Sequence, residues 1–113
     1  MLSIVRAVHT RSYEDPIRLK VGDHVRLTGR VDQWQGYRWL WAIAPDGRAG
    51  WIPDDLIVAH GGQAVATEDY SALELSCRTG ETVDVIRTRH GWAWCRNAVG
   101  EEGWVPLRNL DPP

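Results

Sequence analysis

Residues 39–53, WLWAIAPDGRAGWIP, lie without a gap over residues 92–106, WAWCRNAVGEEGWVP. Trp39, Trp41, Gly47, Gly50, Trp51 and Pro53 fall on Trp92, Trp94, Gly100, Gly103, Trp104 and Pro106, residue types that rarely coincide by chance. Working upstream, Lys20 to Asp23 falls on Arg78 to Glu81, Tyr13 on Tyr70, and Ala7-Val8 on Ala64-Val65. The chain is therefore a duplication. Its break falls at His60 to Gln63, two glycines with polar neighbours between apolar runs. This predicts one domain over 1–59 and a second over 60–113, each folding by itself.

A chain of 113 residues holds one ordinary domain or two of the smallest, and the repeat selects two. Each copy reads as short strands. Val83 to Ile86 and His24 to Leu27 alternate or are β-branched, Gly22 and Gly80 begin tight turns, and Gly47 and Gly100 sit where a hairpin must reverse. No stretch between these turns keeps a helical period. The expected fold is all-β: two tandem five-stranded small β-barrels.

Composition narrows the function. Seven Trp and three Tyr with no Phe is a bias that burial alone does not require, and it favours rings at a surface. Residues 1–59 carry eight Lys/Arg against seven Asp/Glu, and residues 60–113 carry five against eight. Neither half offers the basic surface that neutralises phosphates, so no nucleic-acid partner is expected. Met1 to Val8 contains no apolar run long enough for a signal peptide and no window reaches membrane-spanning length, which gives a cytoplasmic expectation with no membrane partner.

At this point the chain resembles Src-homology-3 (SH3) domains, twice over. Ala66 to Tyr70 resembles the family's Ala-Leu-Tyr-Asp-Tyr motif, Glu74 to Glu81 its Glu-Leu-Ser-Phe run and diverging turn, Trp92 its groove tryptophan, and Gly103 to Pro106 its Gly-Tyr-Ile-Pro. The chain is also similar to bacterial proteins built from two such domains and little else. The resemblance implies a non-catalytic module whose aromatic grooves take proline-rich segments in a polyproline II helix. Carried over by position, the groove of the first copy would use Tyr13, Trp39, Trp51 and Pro53, and that of the second Tyr70, Trp92, Trp104 and Pro106. Other family positions are replaced: the motif's first tyrosine is Arg11 or Glu68, the tyrosine beyond the Pro is Leu56 or Asn109, and the loop between Tyr70 and Gly80 is short.

The remaining candidates are weighed against plain packing. Trp41 and Trp94 read as structural, or as widening the same aromatic strip. Trp34 and Tyr37 lie in an insertion unique to the first copy and read as loop anchors. Glu14, Asp15, Asp54 and Asp55, with Glu68, Asp69, Glu101 and Glu102 in the second copy, are candidates to read a basic ligand residue, against the alternative of solvated surface. Cys77 and Cys95 replace core positions and are expected to point inward as reduced thiols. Two cysteines without a nearby His pair make no metal site, and no cofactor motif is present. His9, His24, His60 and His90 are scattered without a neighbouring nucleophile at motif spacing, so no catalysis is expected. An adaptor leads; a scaffold or homodimer that buries its aromatic strips is the alternative.

Overall fold

Alternating sequences between glycine turns become strands as expected. A computed structural model of the chain describes residues 1–61 and 63–112, and of His60 the backbone alone. Among the described residues the regular elements are β1 (Leu2–Ile4), β2 (Arg18–Leu19), β3 (His24–Trp34), β4 (Tyr37–Ile43), β5 (Ala49–Pro53), β6 (Ile57–His60), β7 (Gln63–Ala66), β8 (Tyr70–Ser71), β9 (Thr82–Arg89), β10 (Trp92–Arg96) and β11 (Glu102–Pro106), with single-turn 3-10 helices η1 (Asp54–Leu56) and η2 (Leu107–Asn109). The strands form three sheets, ordered β5-β4-β3-β7-β6, β1-β9-β10-β11 and β2-β8. These ladders do not close into continuous barrels. Where closure would fall, pairing shrinks to isolated bridges: Val5 with Leu110, His9 with Cys77, and Glu74 with Trp104.

The compact units do not follow the repeats. Asp15–Ala72 form one, here the continuous unit; Met1–Glu14 and Leu73–Pro113 form the other, the split unit. The boundary expected at residue 60 thus ends a sequence repeat but not a unit. The cause is a hairpin. In the continuous unit β6 pairs with β7 from Ile57↔Ala66 to His60↔Gln63, and β7 also lies against β3 through His24↔Val65 and Val25↔Ala64. The expected break at 60–63 is therefore the reversal of this hairpin, with Gly61 at φ 57° and Gly62 outside the described residues. The first strand of the second repeat has joined the body of the first. Ile17, Leu19, Ile52, Leu56 and Tyr70 are buried there.

The insertion of the first copy is strand, not loop. β3 and β4 run on to a tip where Trp34 faces Tyr37 across Gln35 and Gly36, both at positive φ. The residues from Val31 to Arg38 can extend the ladder because Gln-Gly there adopts the reversal that His90-Gly91 adopts between β9 and β10.

The split unit takes its first strand from the start of the chain. β1 pairs antiparallel with β9, Ser3 opposite Val83, and Val5 is fully buried among Leu75, Cys77, Val83, Ala93, Cys95, Val105 and Leu110. Cys77 and Cys95 are free thiols in this core, as expected. Burial pushes the Cys95 thiol up to about 12, with the charges of Cys77 and Asp84 adding to it. Burial likewise raises Cys77, helped by Glu81 and opposed by a hydrogen bond from the His9 backbone.

Two outcomes follow from this arrangement. A fragment spanning residues 15–72 should give a cooperative β-type unfolding transition alone, because it contains a whole unit; a fragment spanning 63–113 should not, because it lacks Val5 and β1. Urea melts followed by circular dichroism check both. Above the ordinary thiol value of 9.0, the unfolded chain loses the Cys95 proton that the folded chain retains, so stability should fall as pH rises from 9.0 toward about 12. Chemical denaturation across that range should show a shallower decline in Cys95→Ala.

Candidate functional site

Alternation along β4 and β5 sends Trp39, Trp41, Trp51 and Pro53 to one face of their hairpin and Leu40, Ala42 and Ile52 to the other. Ala42 and Ile52 are fully buried, so the tryptophans occupy the side away from the core of the continuous unit. Register sets Trp39 opposite Pro53 and Trp41 opposite Trp51. The second pair meets edge to face, centroids 5.1 Å apart at 76°. The Arg30 guanidinium lies 4.7 Å from the Trp41 ring and 5.2 Å from that of Trp51. Each such cation–π contact is worth about 0.5–1 kcal/mol at an exposed site, so Arg30 anchors this end of the strip.

The split unit repeats the pattern on β10 and β11. Trp92 stands opposite Pro106 and Trp94 opposite Trp104, with the latter rings 5.2 Å apart at 79° and Arg87 5.6 Å from Trp104. Trp94 Nε1 donates to Glu102 Oε1 at 2.7 Å, and Arg96 Nε donates to Glu102 Oε2 at 3.1 Å. These bonds hold the Glu102 carboxyl below its usual value, the indole bond being the larger cause. Trp41 and Trp94 thus do widen the strip: they are the register partners of Trp51 and Trp104.

The tyrosines are regrouped. In the continuous unit Gly22 N donates to Ala66 O and Ala66 N to Asp23 O; in the split unit Gly80 N donates to Val5 O and Val5 N to Glu81 O. Val5 therefore takes the place of Ala66. Four residues further on, Leu19 pairs with Tyr70 and Cys77 with His9, so His9 takes the place of Tyr70. Tyr13 does not, because the connection after His9 is longer than the one after Tyr70 and a match of tyrosine to tyrosine overshoots by four residues. Tyr70, expected beside Trp92, belongs to the unit of Trp39 and Trp51 and is 5% exposed. Tyr13, expected beside Trp39, belongs to the unit of Trp92 and is 44% exposed.

His9 is the residue that motif reading missed. Its ring meets Trp92 edge-on at 5.6 Å and 77°, and its Nε2 lies 2.8 Å from Glu74 Oε1. The same carboxylate oxygen accepts from the Ser12 backbone N at 3.2 Å and the Ser12 hydroxyl at 3.0 Å, while Arg11 Nε donates to the Glu74 carbonyl at 2.9 Å. This network fixes one wall of the Trp92 side chain. The signal for it was the spacing back from the Gly22 and Gly80 turns, which a shift of four residues would have matched.

Of the candidate contact residues, Trp39, Trp51 and Trp92 are half-buried and Tyr13 is exposed; Pro53, Tyr70, Trp104 and Pro106 are buried. Several candidate acids have structural work. Asp15 pairs with Arg48 at 3.2 Å, Asp69 accepts from the Val21 N at 2.9 Å, Glu101 accepts from Asn97 Nδ2 at 3.0 Å, and Glu102 holds Trp94.

The chain matches the family model described as the variant SH3 domain twice, over residues 6–58 and 64–112. No curated protein and no solved structure matches it. The two matches follow the sequence repeats, whereas the first strands have changed places between the units.

Glu102 supplies a test of the Trp94 contact. Its lowered pKa means the folded form holds the carboxylate, so the stabilisation is full above the ordinary glutamate value of 4.5 and is lost as pH falls below it. Tryptophan emission of the native protein should change in that acid range, and Glu102→Gln should remove the transition. An unchanged acid transition in the variant would show that the Trp94–Glu102 bond does not govern it.

Proposed function

The chain belongs to the variant SH3 domain family, whose members are protein-interaction modules, and we propose that this one is a non-catalytic adaptor that binds a peptide segment of another protein through its aromatic hairpin faces. One observation carries the reading: both units present the same Trp-x-Trp strand against a Trp-x-Pro strand, on the face opposite the core. Trp104 and the two prolines are buried on these faces, but Trp39, Trp41, Trp51, Trp92 and Trp94 stay partly exposed, and a duplicated set of half-exposed indoles away from the core suits recognition. Rings of this kind suit a proline-rich segment, which arrives as a preformed polyproline II helix and loses little entropy on binding.

The contact surface follows from exposure. In the split unit it centres on Trp92, with His9 against its ring; in the continuous unit it runs over Trp39 and Trp51. Trp104 is 3% exposed and supports the scaffold alternative for its own position: it acts as the packed base of the strip. Two strips on one chain raise apparent affinity by roughly 100-fold or more when one partner spans both.

Titration with a panel of synthetic proline-rich peptides, read by tryptophan fluorescence, tests the proposal. Trp92→Ala and Trp39→Ala should each weaken binding by about thirtyfold, the equivalent of about 2 kcal/mol, with little change in melting temperature. Trp104→Ala should instead cost roughly 3–5 kcal/mol of stability. Peptides that bind the alanine variants as tightly as the parent, or a melting collapse in Trp92→Ala and Trp39→Ala without loss of binding, would remove the adaptor reading.

A further inference from the structure

The split unit is held together across a covalent gap. Residues 1–14 reach it only by non-covalent contacts, because the chain leaves at Glu14, builds the whole continuous unit from Asp15 to Ala72, and returns at Leu73. Those contacts include the β1–β9 ladder, the bridges of Val5 to Leu110 and of His9 to Cys77, the buried Val5 side chain, the hydrogen bonds of His9, Arg11 and Ser12 to Glu74, and those of residues 6–8 with Arg108 and Asn109. None of them depends on which chain the segment comes from. We propose that the N-terminal segment is an exchangeable strand, and that its partner is a second copy of this protein: residues 1–14 of one chain complete the split unit formed by residues 73–113 of another, and the reverse.

Three observations favour a second copy over any other occupant. The acceptor edge of β9 is matched residue by residue to this segment, with Ile4 opposite Thr82 and Leu2 opposite Asp84. The polar match is specific too, since Glu74 takes the His9 imidazole and the Ser12 hydroxyl together. Finally, the competing strand of the same type, β7, is already committed to the continuous unit by its hairpin with β6. A chain whose continuous unit has formed therefore carries one spare strand and one unfilled body, the two complementary parts of a reciprocal dimer. Within one chain the segment is tethered near its site once the continuous unit has formed, because Arg18 lies opposite Ser71 and Ala72 N donates to Ile17 O, so the two ends of that unit emerge side by side. At high chain concentration another chain's segment competes for the same edge. Short tethers give effective concentrations in the millimolar range, so exchange between chains becomes appreciable as the protein approaches that range during folding.

A disulfide reports which chain supplied the strand. Val5 N bonds to Glu81 O, so Ile4 and Thr82 form the neighbouring pair without ladder hydrogen bonds, whose Cα separation of about 4.5 Å suits a disulfide. Both side chains are exposed, and Cys77 and Cys95 are buried out of reach of the oxidant. The full chain carrying Ile4→Cys and Thr82→Cys is unfolded, refolded under reducing conditions at about 5 μM or about 0.5 mM, oxidised, and run on a non-reducing denaturing gel. Leu2→Cys with Asp84→Cys repeats the test at the adjacent exposed-side pair should the first variant fail to fold.

The expected result is a within-chain bond after dilute refolding and a covalent dimer after concentrated refolding, the ratio of dimer to monomer rising about a hundredfold with the hundredfold rise in concentration. Tagged and untagged chains should give mixed dimers when combined before refolding and none when combined afterwards. Only within-chain bonds at both concentrations would overturn the proposal, as would a concentrated dimer that separates fully on the denaturing gel, since that dimer would use another surface. Absence of either bond in both folded variants would overturn the strand assignment on which the proposal stands.

Discussion

The pairing of β6 with β7 decides everything downstream of it. The chain reverses between His60 and Gln63 and zips through four register pairs, a local hairpin needing almost no loop closure. Once formed, it gives the first repeat the first strand of the second. The N-terminal segment is displaced from the position it would hold in a string of independent domains and must cap the only body left without a strand. Two chain crossings, at Glu14–Asp15 and Ala72–Leu73, then join units that a simple tandem would join once.

Loop entropy alone does not select this arrangement. Pairing Ile4 with Thr82 and His24 with Val65 has to be set against pairing Ile4 with His24 and Val65 with Thr82. The products of those sequence separations differ about ninefold in favour of the unexchanged order, worth about 2 kcal/mol against the observed one. Side chains make the choice. The split-unit body has Cys77, Ala93 and Val105 where the continuous one has Leu19, Leu40 and Ile52, and it receives Val5 where the other receives Ala66. The smaller body takes the larger plug, and two extra methyl groups are worth about 1.6 kcal/mol when buried. His9 adds a polar criterion. Its carboxylate partner Glu74 aligns with Pro16 in the first repeat, so His9 placed there would have no side-chain acceptor at that position. A half-buried imidazole stripped of its partner costs roughly 1–3 kcal/mol.

This division explains what could be read from the sequence and what could not. The hairpins β4–β5 and β10–β11 were legible because each is local and its glycines have geometric causes. A Cβ on Gly103 would stand 2.7 Å from the Glu74 and Leu75 backbone, so that glycine marks a close approach which any sequence with this fold must respect. The outward Trp strip was legible as well, since alternation alone puts Trp39 with Trp41 and Trp92 with Trp94. Strand ownership was not. Near-duplicate segments carry near-duplicate patterns, and pattern says that a strand pairs without saying which copy it pairs with. The tyrosines misled for a related reason: matching Tyr13 to Tyr70 paired like with like at the cost of a one-residue gap, while the structure spends the extra residues in the connection after His9 and puts an imidazole where the family has a phenol.

That substitution ties the fold to the site. Trp92 leans on His9, His9 is held by Glu74, and Glu74 is also held by Ser12, so the wall of the split unit's strip comes from the first repeat and its floor from the second. The continuous unit likewise draws Tyr70, paired with Leu19, from the second repeat. Neither unit is therefore the property of one repeat, and a deletion of either copy removes part of both. Binding and assembly become linked quantities. A ligand resting on Trp92 while His9 braces it binds only the assembled unit, and at a hundred times its dissociation constant such a ligand stabilises that unit by about 2.7 kcal/mol. The capping segment is anchored by a short ladder, a buried valine and hydrogen bonds from His9, Arg11 and Ser12 to Glu74 and between residues 6–8 and 108–109, and a gain of that size adds to them. Occupancy of the strip and retention of the N-terminal strand should then rise and fall together, through contacts that lie wholly within one unit.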